Sequence, residues 1–371
     1  MIDNEDVEDT RDDTDDEEDF LSDSNEPAFD PRKINIATEQ NSLATIVMMI
    51  KDGIIDLAPE FQRNPGIWTP IKKSLLIESV LLGIPIPAFY FDTSESGHES
   101  ENSYEEKWLV VDGLQRLSAF KEFIIDQTLE LTGLVLLTDL KGLKYHQLEK
   151  FLQLKLNRYQ VTTFLIRPNT PKEIRYDLFR RINTGGLVLN AQEIRNTLNR
   201  GKPAQFLKKL AEDARFSALF PIKNDRMADR ELILRYIAFY NKPYTEYEAP
   251  FAKFLDKAME HISILKQSEL ENIENAFWQA LQFIKDADLD INKKRPNKAL
   301  FEVLCVLLGK LNTEALSKLK KNKENFIKAF NDIKSDKNSE FYKSTYEGTA
   351  SKPSVLTRFS TIEALIEKYK K

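Results

Sequence analysis

Residues 107–120 read K-W-L-V-V-D-G-L-Q-R-L-S-A-F, and this stretch restricts the fold more tightly than any other. Trp108 to Val111 has the make-up of a short buried strand, and Asp112-Gly113 breaks it. Leu117, Phe120, Phe123 and Ile124 then recur at helical spacing. The first N–H groups of such a helix have no intrahelical partner and form a ready anion site. Arg116 stands in that first turn, so the layout suits a nucleotide phosphate or a nucleic-acid backbone.

The chain has 371 residues, enough for two domains of ordinary size. No apolar run reaches the roughly 18–20 residues that span a bilayer, so no membrane partner is expected. The acidic start is neither a secretory signal nor a transit peptide. Cys305 is the only cysteine, which excludes an internal disulfide and fits a reducing compartment, the cytoplasm. Its setting, V-L-C-V-L-L, is that of a core thiol rather than a nucleophile.

The formal charge of −6 hides two opposed parts. Residues 1–30 hold fifteen Asp and Glu and one Arg, a net of −14, which leaves +8 for the rest. The segment has too little apolar content to fold alone. It reads as a disordered acidic tail, either solubilising or competing as a polyanion for the body's own basic site. The basic body favours phosphorylated partners without proving DNA binding.

Helical periodicity runs from Ser42 to Gly53. After the loop A-P-E-F-Q-R-N-P-G-I-W-T-P, Thr69 and Pro70 start a second helix that stops at Gly83. Pro85 to Phe91 is a candidate strand, and residues 93–106 an exposed loop. Tyr145–Leu156 reads as a helix, Gln160–Ile166 as a strand and Pro171–Ile182 as an amphipathic helix. Asn190 caps the next helix, with Glu193 in capping-box position. Beyond Lys202 strands become scarce. Helices are expected over 202–213, 230–241, 251–265, 269–286, 298–311, 313–333 and 360–370. The expected plan is α+β: a mixed-sheet domain over residues 31–200 and a helical domain over 201–371.

Three motifs could carry chemistry. In Asp112-Gly113-Leu114-Gln115-Arg116, one reading is a capping box between Asp112 and Gln115 with Arg116 on the surface. The other is an anion site, in which a divalent cation, or an Asp112 turned to water or a hydroxyl, relieves repulsion between carboxylate and phosphate. In Phe61-Gln62-Arg63-Asn64-Pro65-Gly66-Ile67-Trp68, Arg63 either contacts phosphate or is solvated on a loop anchored by its aromatics. In Phe179–Gly186 and Asn190–Asn196, the residues Arg181, Asn183, Glu193, Arg195 and Asn196 either converge on a ligand or simply end one helix and cap the next. No G-x-x-x-x-G-K-[ST] or G-x-G-x-x-G loop is present. The histidines His98, His146 and His261 lack zinc spacing. Asp92 with Glu105-Glu106-Lys107 matches an acidic-x-Lys nuclease pattern only loosely.

Taken together, F-Q-R-N-P-G-I-W, V-V-D-G-L-Q-R-L and R-R-I-N-T-G-G-L-V-L-N-A-Q-E-I-R-N resemble the N-terminal domain of GmrSD-type restriction endonucleases. The resemblance runs over residues 35–240, including Arg226–Arg235. It implies a ParB/sulfiredoxin-like fold and the binding and hydrolysis of a nucleoside triphosphate in defence against foreign or modified DNA. Carried over by position, Asp112, Gln115 and Arg116 are the expected catalytic residues. Asp112 is the expected Mg²⁺ ligand, and Gln62, Arg63 and Gly113 line the nucleotide site. Arg181, Asn183, Glu193 and Arg195 are further candidates. The family's usual motif is D-G-Q-Q-R; Leu114 replaces its first glutamine here. Two rivals follow: a metal-dependent DNA endonuclease using the same pocket, and a nucleotide sensor or DNA-binding switch without turnover. A separate subunit could supply a nuclease.

Overall fold

The computed structural model describes residues 31–57, 68–93, 107–168, 170–182, 190–222, 226–291 and 296–371. The acidic tail, the loop with Gln62 and Arg63, the Ser/Glu-rich stretch with His98, and Asn183 to Gly186 lie outside the described residues. Two compact units divide the rest, Ala28–Leu198 and Asn199–Lys371.

The first unit is built on five strands: β1 Ile36–Ser42, β2 Ile55–Asp56, β3 Phe89–Asp92, β4 Trp108–Asp112 and β5 Gln160–Ile166. Their order is β1-β5-β3-β4-β2. β1/β5 and β3/β4 run antiparallel, while β3/β5 and β2/β4 run parallel, so the sheet is mixed. β1 was not expected, because I-A-T-E-Q-N-S lacks the large apolar residues that mark a strand. Pairing with β5 over seven residues makes it one, from Ile36↔Ile166 to Ser42↔Gln160. Side chains reinforce the edge: Gln40 Nε2 donates to Thr162 Oγ1 at 2.8 Å and Asn41 Nδ2 to Thr163 Oγ1 at 3.0 Å.

Helices cover both sheet faces. On one lie α1 Leu43–Lys51, α2 Pro70–Leu82 and α3 Leu114–Phe120. There Leu43, Ile46, Ile77, Val80, Leu117 and Phe120 pack with Phe89, Phe91, Val110 and Leu165 of the sheet. Burying a phenylalanine such as Phe89 or Phe91 contributes roughly 1.5–3 kcal/mol. Ser42 and Thr69 cap α1 and α2, accepting from Thr45 N at 3.1 Å and Lys72 N at 3.3 Å. On the opposite face, α5 Lys172–Ile182 and α6 Ala191–Leu198 enclose Val111, Ile166, Phe179, Ile194 and Leu198.

Two elements differ from expectation. The third strand starts at Phe89 rather than Pro85, because Pro85 and Pro87 have no N–H to give a neighbour. The helix expected over Tyr145–Leu156 is a 3₁₀ turn, Tyr145–Gln147, followed by α4 Lys150–Arg158. Gln147 accepts from Lys144 N at 2.8 Å, closing that turn on itself.

The second unit has no strand among its described residues. It comprises α7 Lys202–Ala211, α8 Ala214–Leu219, α9 Ala228–Asn241, α10 Phe251–Ile264 and α11 Gln267–Asp286. After these come α12 Lys298–Gly309, α13 Thr313–Lys321, α14 Lys323–Ser335, α15 Glu340–Tyr346 and α16 Lys352–Tyr369. The helix expected over 313–333 is split at Asn322, which closes α13 and opens α14. The last helix begins at Lys352 instead of Ser360, capped by Ser351. Phe239, Phe277, Phe301 and Phe359 sit in one core with the fully buried Cys305. Gly309 lets α12 approach α11, since a Cβ there would stand 2.8 Å from the Ala276 carbonyl oxygen. No helix among the described residues is long and apolar enough to cross a membrane.

Candidate functional site

The centre of the site is the junction between β4 and α3. Tyr90 pairs with Asp112 and Phe91 with Val110, so Val111 is an extra residue in β4. Such a bulge bends a strand and re-aims the residue beside it. Val111 goes into the core shared with Phe179 and Ile194, and Asp112 is carried to the rim, its side chain 36% exposed.

Gly113 makes the turn. Its φ is 103°, a left-handed value, and a Cβ at this position would overlap the Phe89 ring. Both conditions require glycine. Gly113, not Asp112, is the residue that caps α3, and no side chain caps it. The capping box between Asp112 and Gln115 is therefore absent. Asp112 Oδ2 instead accepts from Arg116 Nη2 at 2.7 Å. Gln115 Oε1 accepts from the backbone N–H of Trp68 at 3.2 Å.

Arg116 is not a surface residue. It is 8% exposed, and its guanidinium lies over the Phe89 ring, 4.6 Å from the centroid. Nη1 donates to the Pro87 carbonyl, and Nη2 to the Ala88 carbonyl at 3.2 Å. These are carbonyls of the proline-interrupted stretch that does not join the sheet. Burial pulls the Arg116 pKa down from its usual value, and the Asp112 carboxylate opposes that shift. Arg116 thus fastens the approach to β3 and holds Asp112 with the same fork.

The bond from Trp68 links two sequence motifs. Trp68 ends the stretch that holds Gln62 and Arg63, and Gln115 ties that end to α3. Gln62 and Arg63 themselves lie outside the described residues.

The motif of Phe179 to Asn196 meets the Asp112 motif through the core under Val111, where Phe179 of α5 and Ile194 of α6 pack. Asn190 and Glu193 form the expected capping box. Glu193 Oε2 accepts from Asn190 N at 2.6 Å, and Asn190 Oδ1 accepts from Glu193 N at 2.8 Å. Glu193 and Arg195 are buried, and Arg181 is exposed in the last turn of α5. Asn183 lies outside the described residues.

Tyr90, Asp92 and Arg175 had not been singled out together. Tyr90 stands opposite Asp112 across the sheet and stacks on Phe164 at 4.8 Å. Arg175 of α5 pairs with Asp92 at 3.4 Å, so Asp92 serves as an anchor for a helix. The alternation in F-Y-F-D was the only signal for these contacts. Among the described residues no three His, Cys, Asp or Glu gather as a metal site.

Residues 43–199 match the family model described as GmrSD restriction endonuclease, N-terminal domain. The match is shorter than the stretch over which the resemblance was drawn, and it leaves out Arg226–Arg235. No curated protein and no solved structure matches the chain. The segment holding all three motifs, with Asp112 and Arg116 at its centre, belongs to the GmrSD restriction endonuclease N-terminal domain family.

Proposed function

We propose that the chain binds and hydrolyses a nucleoside triphosphate as part of a restriction system that acts on DNA or is regulated by it. The observation that carries this reading is the partly exposed carboxylate of Asp112, set at the start of a helix and backed by the buried cation of Arg116.

On this reading the buried guanidinium makes Arg116 a positioning residue. It fixes Asp112 and adds positive potential behind the site. Direct phosphate contact falls to Arg63, five residues before the Trp68 whose N–H Gln115 holds, with N–H groups of the first turn of α3 assisting. Gln62 and Gly113 line the nucleotide, and Arg181, Asn183, Glu193 and Arg195 are further candidates. A Mg²⁺ ion fits the donor chemistry. One carboxylate suffices when phosphate oxygens and water complete the octahedron, and Asp112 Oδ1 has no hydrogen-bond partner among the described residues. The ion would supply charge neutralisation. Asp112 would also orient the attacking water, and electrostatic placement would carry most of the rate.

The test is a thermal-shift screen of the four ribonucleotides with and without Mg²⁺, followed by phosphate release. A ligand selective for the native state raises Tm. Asp112→Ala and Arg63→Ala should abolish release while the fold persists. Unchanged release in both overturns the assignment. A sensor without turnover is the second reading, favoured by Leu114, whose side chain packs against the apolar core. Tight nucleotide binding without release would establish it. Nicking of plasmid DNA with metal alone would point to a direct nuclease.

A further inference from the structure

The basic excess of the chain is confined to one unit. Residues 31–198 carry twenty Lys and Arg against twenty Asp and Glu. Residues 199–371 carry thirty-two against twenty-four, and within them residues 310–371 hold fourteen against eight.

Part of this charge gathers where three helices end. Lys323 Nζ donates to the Asp286 carbonyl at 3.0 Å, and Lys320 lies 3.9 Å from the Asp286 carboxylate. Both place the α13–α14 junction against the end of α11. Asn322 Nδ2 donates to the Tyr369 carbonyl at 2.9 Å, which brings in the end of α16. Beneath the joint Phe326 packs against Phe283 and Tyr369, with centroids 5.9 and 6.4 Å away. The lysines therefore sit on a braced surface. Lys285, Lys320, Lys321, Lys368 and Lys371 are exposed, and Lys323 is half-buried. Lys285, Lys321, Lys368 and Lys371 have no carboxylate partner among the described residues. Along the sequence the acids beside these lysines are Asp286, Asp288, Glu324 and Glu367, the last taken up by Lys370 at 2.5 Å. Lysines do complement helix C-termini, each worth about half a charge. Six ammonium groups exceed what three helix ends and three carboxylates offset.

We propose that this lysine joint is a docking surface for the phosphate backbone of duplex DNA. It lies outside the segment that matches the family model and extends the DNA-directed part of the proposed function, on which it rests. Compact, solvated ammonium groups bind phosphate without reading sequence, and each neutralised phosphate releases counterions.

The test uses the full chain and a fluorescent duplex of about 24 base pairs of arbitrary sequence, titrated over a salt series. The patch variant is Lys321→Glu/Lys368→Glu/Lys371→Glu. The control is Lys51→Glu/Lys141→Glu/Lys155→Glu, the same charge change in the first unit. At roughly 100 mM salt the patch variant should bind at least about tenfold more weakly, with the salt slope smaller by about one per lysine. The control should stay close to wild type, and circular dichroism should show both variants folded. Equal losses in the two variants, or an unchanged slope in the patch variant, overturn the proposal. So does a joint that binds a peptide of residues 1–30 but not the duplex. Phosphate release without DNA is measured in parallel. It should be unchanged in the patch variant, so failure of the nucleotide reading and failure of this one give different results.

Discussion

Each unit holds a buried arginine paired with a carboxylate, and the two pairs serve different ends. In the helical unit Arg358 and Glu302 are both 0% exposed. Arg358 Nε donates to Glu302 Oε1 at 3.0 Å, and Nη1 donates to the Thr349 carbonyl at 2.6 Å. Arg235 approaches the other Glu302 oxygen at 3.6 Å. Neither member of the pair reaches solvent, so its business is joining α9, α12 and α16. In the first unit Arg116 is buried in the same manner, but its partner Asp112 is 36% exposed. One bulged residue, Val111, makes the difference. The same ion pair is a structural bolt when both ends are covered, and a candidate site when one carboxylate oxygen can meet a ligand.

Breaking the covered pair should have the largest effect on stability. Arg358→Ala leaves Glu302 buried with a weakened partner set, and urea denaturation should show a loss of about 3–5 kcal/mol. A loss below about 1 kcal/mol would mean that Glu302 is protonated or hydrated, and the contrast would fail. Gly113→Ala should come next. It combines a left-handed φ with overlap on Phe89, and about 2–3 kcal/mol is expected. Phe89→Leu in the same chain should restore part of it, because the ring edge is what the methyl meets.

Asp112→Asn sharpens the comparison from the other side. The pair is partly solvated, so the stability change should stay within about 1 kcal/mol, while phosphate release is lost. A large stability loss here would make Asp112 a second bolt. The smallest effect concerns Glu78. Desolvation raises its pKa, but bonds from the backbone N–H groups of Leu137, Leu136 and Val135 outweigh this and hold it below the usual glutamate value. A lowered folded pKa gives stability that is present above the unfolded value and lost as pH falls through the folded one. Glu78→Gln should therefore flatten the acid side of the stability profile below the ordinary glutamate pKa. Identical acid limbs in variant and wild type would remove Glu78 from the account.

Much of the local structure was legible in the sequence. The helix starting near Ser42, the caps at Thr69 and Asn190 and the strand at 160–166 follow from neighbours a few residues apart, where propensity and patterning act. β1 was illegible because its strand character comes from a partner some 120 residues away. Of the two readings of Asp112, the capping box failed for a related reason. Spacing places Gln115 three residues on, but a strand bulge and the Trp68 N–H decide where each side chain goes. The burial of Arg116 was also hidden, since a first-turn arginine is ordinarily solvated and only the open carbonyls of Pro87 and Ala88 draw it inward.

By itself, then, the amino-acid order determined the α+β plan, the break at Asp112-Gly113 and the family to which residues 43–199 belong. Periodicity, caps and motif spacing are written in contiguous residues. Tertiary structure alone decided which oxygen of Asp112 is spent on Arg116, that Gln115 holds the Trp68 N–H 47 positions earlier, and that the α13–α14 junction meets the end of α16. Those outcomes depend on which groups are covered from water and which find partners across the fold, and neither is a property of neighbouring residues.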